Sequence, residues 1–302
     1  MKLILTPSVE NLTLALYDTE TNESMFVPST PDQFNTDADE SRPRHRPYGI
    51  TWNQDTIFVA NRKNLLIYDN QLNATEVRRN ILDQNTHSIL YKDGVLVCAL
   101  VRKECLGFYN VFTEEMEMYH PEHGWASDYP DNGLAYEYRL NAVAEKDDVI
   151  YFVLYNSKTG YKELHGVNVV TRQPVETKVY TCNDTHSHGV MIRRGQFLTL
   201  DTGGLLQDIN NPKLLIEIPS DDYKTRGMAG DDIEWACGYH MWDYKGDGSY
   251  INTYNFSRQL TSEGPPKRVR YVDGVGSVND MRRIDGVDFC HRNPYDFPYT
   301  GF

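Results

Sequence analysis

The sequence predicts an all-β chain folded as a six-bladed β-propeller, and three observations lead there. A unit of short apolar strands separated by polar turns recurs along the chain. The aligned starts of this unit, at positions 48, 87, 141, 188, 225 and 279, lie 37 to 54 residues apart, the span of a four-stranded propeller blade. The start at Asn279 lacks room for its remaining strands, and residues 3–27 supply them. Pairing this strand with the N-terminal ones closes the ring and protects the sheet edges. A five-bladed ring with odd termini is the alternative. Either way, residues 1–302 read as a single propeller domain.

Each element follows from its local pattern. Leu3-Ile4-Leu5, Leu12 to Tyr17 and Ser24 to Val27 are strands, with a polar turn at Asp18 to Glu23. Residues 28–47, rich in Pro, Asp, Ser and Arg, read as a long loop. The first full unit runs from Tyr48-Gly49-Ile50-Thr51-Trp52 through Thr56 to Ala60, Leu65 to Tyr68 and Ala74 to Val77. The second starts at His87, turns at Lys92-Asp93-Gly94 and continues through Val95, Cys105 and Glu115 to Tyr119; residues 120–137 read as an inserted loop. The third starts at Asn141 and turns at Lys146-Asp147-Asp148. The fourth contains Thr185-His186-Ser187-His188-Gly189, followed by Val190 to Arg193 and Gln196 to Asp201. For the fifth, a start at Thr225 is preferred to one at His240, because it leaves the fourth unit complete.

Composition narrows the function classes. The 40% apolar and 24% charged content is that of a globular chain, and the 21 tyrosines favour strands over helices. No apolar run approaches the roughly 18 residues that span a bilayer, so no membrane association and no targeting segment are expected. The net charge of −13 argues against sequence-independent nucleic-acid binding, which needs a basic face. Five scattered cysteines without a C-x-x-C indicate neither a disulfide framework nor a thiolate zinc site, and fit a reducing, cytoplasmic compartment.

In a propeller the first strand of each blade lines the central tunnel, and its start lies near one mouth. The register therefore brings Tyr48, His87, Asn141, His188, Thr225 and Asn279 to one axis, with His186 two residues before His188 and Arg226 beside Thr225. His87, His186 and His188 form a candidate metal set, since neutral imidazole suits a divalent ion such as Zn or Fe better than Ca. Tyr48, Asn141, Thr225, Arg226 and Asn279 are the candidate ligand-binding residues. One expectation is thus a metal-dependent enzyme (hydrolase, lyase or oxygenase) whose metal polarises a carbonyl, activates water or binds O₂. The other is a non-catalytic propeller that binds a glycan, a small polar molecule or a protein, with Tyr48, Tyr138, Trp125 and Tyr239 as aromatic surfaces. The oligomeric state stays open. His120 and His123, spaced H-x-x-H around Pro121 and Glu122, read as a solvated loop. Asp243 to Gly248 reads as a turn, because a calcium loop of the helix-flanked kind needs helices and a twelfth-position Glu.

Pro47-Tyr48-Gly49-Ile50-Thr51 with Asp55 to Asn61 resembles an NHL unit, and the chain looks like the six-bladed group of NHL-repeat and SMP-30/gluconolactonase-type propellers. Thr86 to Ile89, Leu140 to Val143, His186-Ser187 with Leu198 to Gly203, and Thr225 to Ala229 more closely resemble an uncharacterised propeller family of bacteria and their viruses. That resemblance implies a fold and no activity. Gluconolactonase-type enzymes hold a central divalent ion with Glu, Asn and Asp, whereas histidines stand at the aligned heads here.

Overall fold

The computed structural model describes residues 2–7, 12–21, 23–30, 47–53, 55–132, 137–180, 187–201, 205–217, 224–230, 234–240, 248–255, 268–273 and 278–284. Over parts of residues 176–283 the description is of the backbone alone. Among the described residues every element is a strand.

In chain order, β1 (Lys2–Pro7), β2 (Leu12–Asp18) and β3 (Ser24–Pro28) come first, followed by β4 (Pro47–Trp52), β5 (Thr56–Asn61), β6 (Asn64–Asp69) and β7 (Ala74–Arg78). Next are β8 (Thr86–Lys92), β9 (Val95–Leu100), β10 (Cys105–Asn110), β11 (Met116–His120) and β12 (Gly124–Ala126). The third full unit gives β13 (Tyr138–Lys146), β14 (Val149–Asn156), β15 (Tyr161–Asn168) and β16 (Pro174–Tyr180). Then follow β17 (Ser187–Arg193), β18 (Gln196–Asp201), β19 (Leu205–Asp208) and β20 (Asn211–Glu217). The last are β21 (Lys224–Gly230), β22 (Glu234–His240), β23 (Gly248–Asn255), β24 (Arg268–Asp273) and β25 (Val278–Arg283).

These strands make six antiparallel sheets: β25-β1-β2-β3, β4 to β7, β8 to β12, β13 to β16, β17 to β20, and β21 to β24. We number them I to VI in that order. The innermost strands β25, β4, β8, β13, β17 and β21 each touch the next in a closed circle, so the chain is a β-propeller. Closure is as the repeat count requires: β25 pairs antiparallel with β1, from Leu3 opposite Arg283 to Thr6 opposite Asp280. The fifth unit starts at β21, not at His240, which ends β22.

The period-two pattern explains the stacking. Successive side chains of a strand face opposite sides of its sheet. In sheet I, Leu3 and Leu5 therefore face sheet VI, packing with Ala229 and Ala236. Ile4 faces the other way and packs with Ile50, Val59 and Leu66 of sheet II. The same division places Phe58, Ile89 and Leu100 between sheets II and III, and Val97, Ile150 and Phe152 between III and IV. Sheets I to IV are apolar on both faces, so each of them needs two neighbours to bury its core. Full burial of each such aliphatic side chain stabilises by about 1.5–3 kcal/mol.

One expected loop is structured. Residues 120–137 do not simply leave the sheet: β11 runs to His120, and β12 turns back on it with Tyr119 opposite Trp125. Gly124 follows the turn at φ 79°, a conformation that a glycine adopts without strain.

Candidate functional site

The aligned strand starts share a backbone feature that sequence spacing alone does not reveal. Every innermost strand carries a β-bulge at its head. The register skips Tyr48 and Gly49 on β4, His87 and Ser88 on β8, Asn141 on β13 and His188 on β17. It skips Gly227 on β21 and Asn279 on β25. A bulge leaves a residue outside the ladder and re-aims its side chain. Six of them in one ring position make a rim of residues released from sheet pairing at one mouth of the tunnel.

Five of the six expected heads fall at these bulges, and Thr225 does not. The bulge of sheet VI is at Gly227, two residues further on. In sheet IV the turn after the bulge is tight, with Lys146 opposite Val149. In sheet VI the last described pair is Gly230 opposite Trp235, only three residues after the bulge, whereas Lys146 stands five residues after Asn141, so the same count back from residue 230 falls at Thr225. Gly227 has φ 65°, and a Cβ there would lie 2.9 Å from the Met281 backbone nitrogen. The position therefore holds a glycine for close contact with sheet I.

The side chains described at the mouth are Tyr48, His87 and Asn141. The Tyr48 and His87 rings stack across the boundary between sheets II and III, with centroids 4.9 Å apart and planes 8° from parallel. Asn141, on the next sheet, is buried to 6% exposure. The backbone places His188 and Asn279 at the corresponding bulges, while their side chains, those of Thr225 and Arg226, and all of His186 lie outside the described residues. The structure thus brings His87 beside Tyr48 and leaves the three-histidine set undescribed. Among the described residues no group of three His, Cys, Asp or Glu is placed to hold a metal ion.

A polar network below the rim ties three innermost strands together. The Thr6 hydroxyl donates to the Tyr48 carbonyl at 2.7 Å and accepts the Asp280 N–H at 2.9 Å. The Asp280 carboxylate accepts the Met281 N–H at 2.9 Å and the Ile50 N–H at 3.3 Å. Arg282 reaches further, donating from Nε to the Ile50 carbonyl at 3.2 Å and from Nη2 to Ser88 Oγ at 3.0 Å and the Ile89 carbonyl at 3.2 Å. Asp280 is buried, and burial pushes its carboxyl up to about 6 against the opposing pull of the Arg282 guanidinium 3.8 Å away. Asp280, with Asp184 and Glu145, is one of the carboxylates that the sequence sets nearest the strand heads, and Arg282 is the functional candidate that the head-of-strand pattern misses. Its period-two position on β25 marks the strand but not the reach of one side chain over two neighbouring sheets.

The H-x-x-H pair differs from expectation in a second way. His120 is 4% exposed and closes β11, and the His123 ring stacks on it with centroids 4.5 Å apart. His120 Nδ1 accepts the Glu122 N–H at 3.1 Å, and Glu122 in turn accepts the Tyr138 hydroxyl. Burial, aided by His123, lowers the His120 imidazole to about 4. His120, Glu122 and His123 line a cavity of about 380 Å³ together with Glu104 and Tyr129. The β11–β12 hairpin folds this segment against sheet IV, so His120 is an interior residue. Asp243 to Asp247 lie outside the described residues.

With the architecture and mouth in view, the class is that of the β-propellers. No family model matches the chain, and no curated protein matches it. Among solved structures it is similar to one in the crystal structure of a nidogen/laminin complex, at 8% identity over 93% of this chain and 98% of that one, TM-score 0.65. It is also similar to the RRP9 WD40 repeats, at 9% identity over 84% and 87% of the two chains, TM-score 0.52. A third similar structure is the Myceliophteria thermophila Cps50 (Swd1) β-propeller domain, at 8% identity over 86% and 80%, TM-score 0.50. At these identities the likeness is one of fold.

Proposed function

We propose that the chain is a non-catalytic binding propeller that takes a polar ligand, free or displayed by a partner, at the bulged mouth of its tunnel. The observation that carries this reading is the ring of six bulged strand starts, with Tyr48 stacked on His87 and Asn141 on the next sheet. Bulges free side chains from the ladder, and flat rings beside amides provide apolar area with directional hydrogen bonding. The network of Thr6, Asp280 and Arg282 holds the mouth strands in place, and such preorganisation reduces the entropy lost on binding. The nidogen/laminin complex offers a parallel, since there a similar fold occurs in a protein complex. Within this reading we place the chain with the NHL-like propellers, on the Pro47 to Asn61 motif, and in a reducing cytoplasm, where the buried thiols Cys98 and Cys105 would persist.

Equilibrium dialysis of the intact chain against a panel of simple sugars, amino acids and short acidic and basic peptides tests the reading. At least one probe should bind, and Tyr48→Ala should weaken it about tenfold, the loss of one stacking contact with its packing. Turnover of a probe, or binding indifferent to Tyr48→Ala, contradicts it.

A second reading keeps the mouth and changes its occupant. The registers place His188 at the same bulge position as His87, and this favours a divalent ion, Zn or Fe, held by His87, His186 and His188 with Asn141 nearby. Such an ion would supply Lewis-acid or oxygen chemistry. Elemental analysis of untagged protein distinguishes the two: stoichiometric metal lost in His87→Ala favours the metal, and metal-free protein that binds a probe favours simple recognition.

A further inference from the structure

A second surface lies at the opposite ends of the strands, away from the bulged mouth. Between sheets III and IV, among the turns β8–β9, β10–β11, β13–β14 and β15–β16, opens a groove of about 730 Å³. Its floor is apolar, formed by Val95, Val97, Phe108, Trp125, Ile150 and Val169. Two large apolar side chains stand exposed at the same end of the strands. Val170 (71% exposed) forms part of the groove wall, and Phe112 (80% exposed) sits in the β10–β11 turn. A concave apolar surface with exposed apolar residues beside it is what a docking site presents to solvent.

The outer end of the groove is held open by a defined clamp. Arg172 of sheet IV forms a two-pronged ion pair with Glu117 of sheet III, both bonds 2.8 Å. Its guanidinium lies 4.1 Å from the Trp125 ring centroid, and the Trp125 indole N–H donates to the Arg172 carbonyl at 3.0 Å. Trp125 is thereby fixed as a wall, with Phe108 tilted against it at 4.9 Å.

Charge identifies the occupant. The groove edge carries four carboxylates, Asp93, Glu115, Glu117 and Asp148, and two cations, Lys92 and Arg172. Both cations are engaged: Arg172 with Glu117, and Lys92 with Glu145 at 2.8 Å and Asp148 at 3.1 Å. Asp93 and Glu115 face the groove with no cation beside them among the described residues. A positive group entering here meets two uncompensated carboxylates, whereas a second copy of this chain, at net charge −13, brings the wrong sign. We propose that the groove takes an extended segment of a partner protein carrying two or three apolar side chains beside a Lys or Arg. The apolar side chains fill the floor between Val97 and Trp125, and the basic residue lies against Asp93 and Glu115.

The test is fluorescence anisotropy of the intact chain with two labelled decapeptides of identical Leu and Phe content. One has Lys and Arg at the flanking positions, the other Glu. The basic peptide should bind saturably and more weakly as salt rises. Val170→Lys, at a position too exposed to unfold the protein, should weaken it about tenfold by removing apolar contact and adding like charge. Trp125→Ala should do the same, with its melting curve recorded to separate loss of the wall from loss of the fold. Asp93→Asn with Glu115→Gln should flatten the salt dependence. Tyr48→Ala should leave this binding unchanged, so the groove stands or falls apart from the mouth. Equal affinity for the acidic peptide, no saturable binding of the basic one, or indifference to Val170→Lys overturns the proposal. A concentration-dependent dimer dissolved by Val170→Lys overturns it in favour of a second copy.

Discussion

Asp280 makes the closure of the ring sensitive to pH in an unusual direction. Its carboxyl is buried and raised from the ordinary 3.8 to about 6, with loss of hydration the dominant cause. Between about pH 4 and pH 6 the folded chain keeps a proton there that the unfolded chain has released. The stabilisation is therefore fully present below about pH 4 and is lost as pH rises through about 6. A shift of roughly two units corresponds to about 3 kcal/mol. Asp280→Asn removes the ionisation. It also turns an amide N–H₂ toward one of the two backbone donors, Met281 or Ile50, and leaves that donor unpaired at a cost of about 1–3 kcal/mol. The variant should thus be the less stable protein near pH 4.5, with the gap narrowing by up to about 3 kcal/mol toward pH 7. Urea unfolding of both proteins at closely spaced pH values reads this difference directly. Asp83, also buried and raised to about 6, and His120 titrate in both proteins and cancel. Parallel stability profiles for wild type and Asp280→Asn would refute the assignment of a desolvated carboxyl at the seam.

Two further outcomes follow from the same geometry. A Cβ on Gly49 would lie 2.9 Å from the Ile89 nitrogen and 3.0 Å from the Ser88 Cα, so Gly49→Ala should push sheets II and III apart. It should cost about 1–3 kcal/mol in thermal or urea unfolding, and a neutral result would show that the sheets can separate there freely. His120, lowered to about 4 by burial and by His123, should titrate well below an ordinary imidazole in an NMR pH series. Its contribution runs opposite to that of Asp280, since a depressed imidazole destabilises the fold as pH falls from about 6.5 toward 4. A His120 midpoint near 6.5 would show that the β11–β12 hairpin does not bury it in solution.

The architecture was legible because each level of the pattern agreed. Period-two apolar alternation, polar turns and repeat length all specify stacked four-stranded sheets, and the strands before Asp18 supplied partners for β25. The heads at His87, Asn141 and His188 were legible because each bulge stands five residues before the last pair ahead of a two-residue turn. In sheet VI the bulge stands only three residues before Gly230, so the same count failed and Gly227 was missed. His120 was misread for a different reason: Pro121 and Gly124 are turn residues, and nothing local says that the turn folds back onto sheet IV. Arg282 and the groove at Trp125 depend on side chains from adjacent sheets, a distance relation that no single strand encodes.

The pairing of β25 with β1 has a consequence for how the chain is made. Thr6 and Asp280 hydrogen-bond across 274 residues. At roughly 5–20 residues per second, synthesis needs about 15–55 s to bring the second partner out after the first. Throughout that interval one apolar face of β1 and β2 has no sheet VI to cover it, and the inner edge of β1 lacks its partner strand. Sheets II to V can stack as they emerge, but the first sheet must wait for the last strand. A nascent chain of this design exposes that face of sheet I for longer than the faces between the sheets that follow it. The growing ring is an open coil with one sticky lip, and its lifetime in that state is set by the rate of translation.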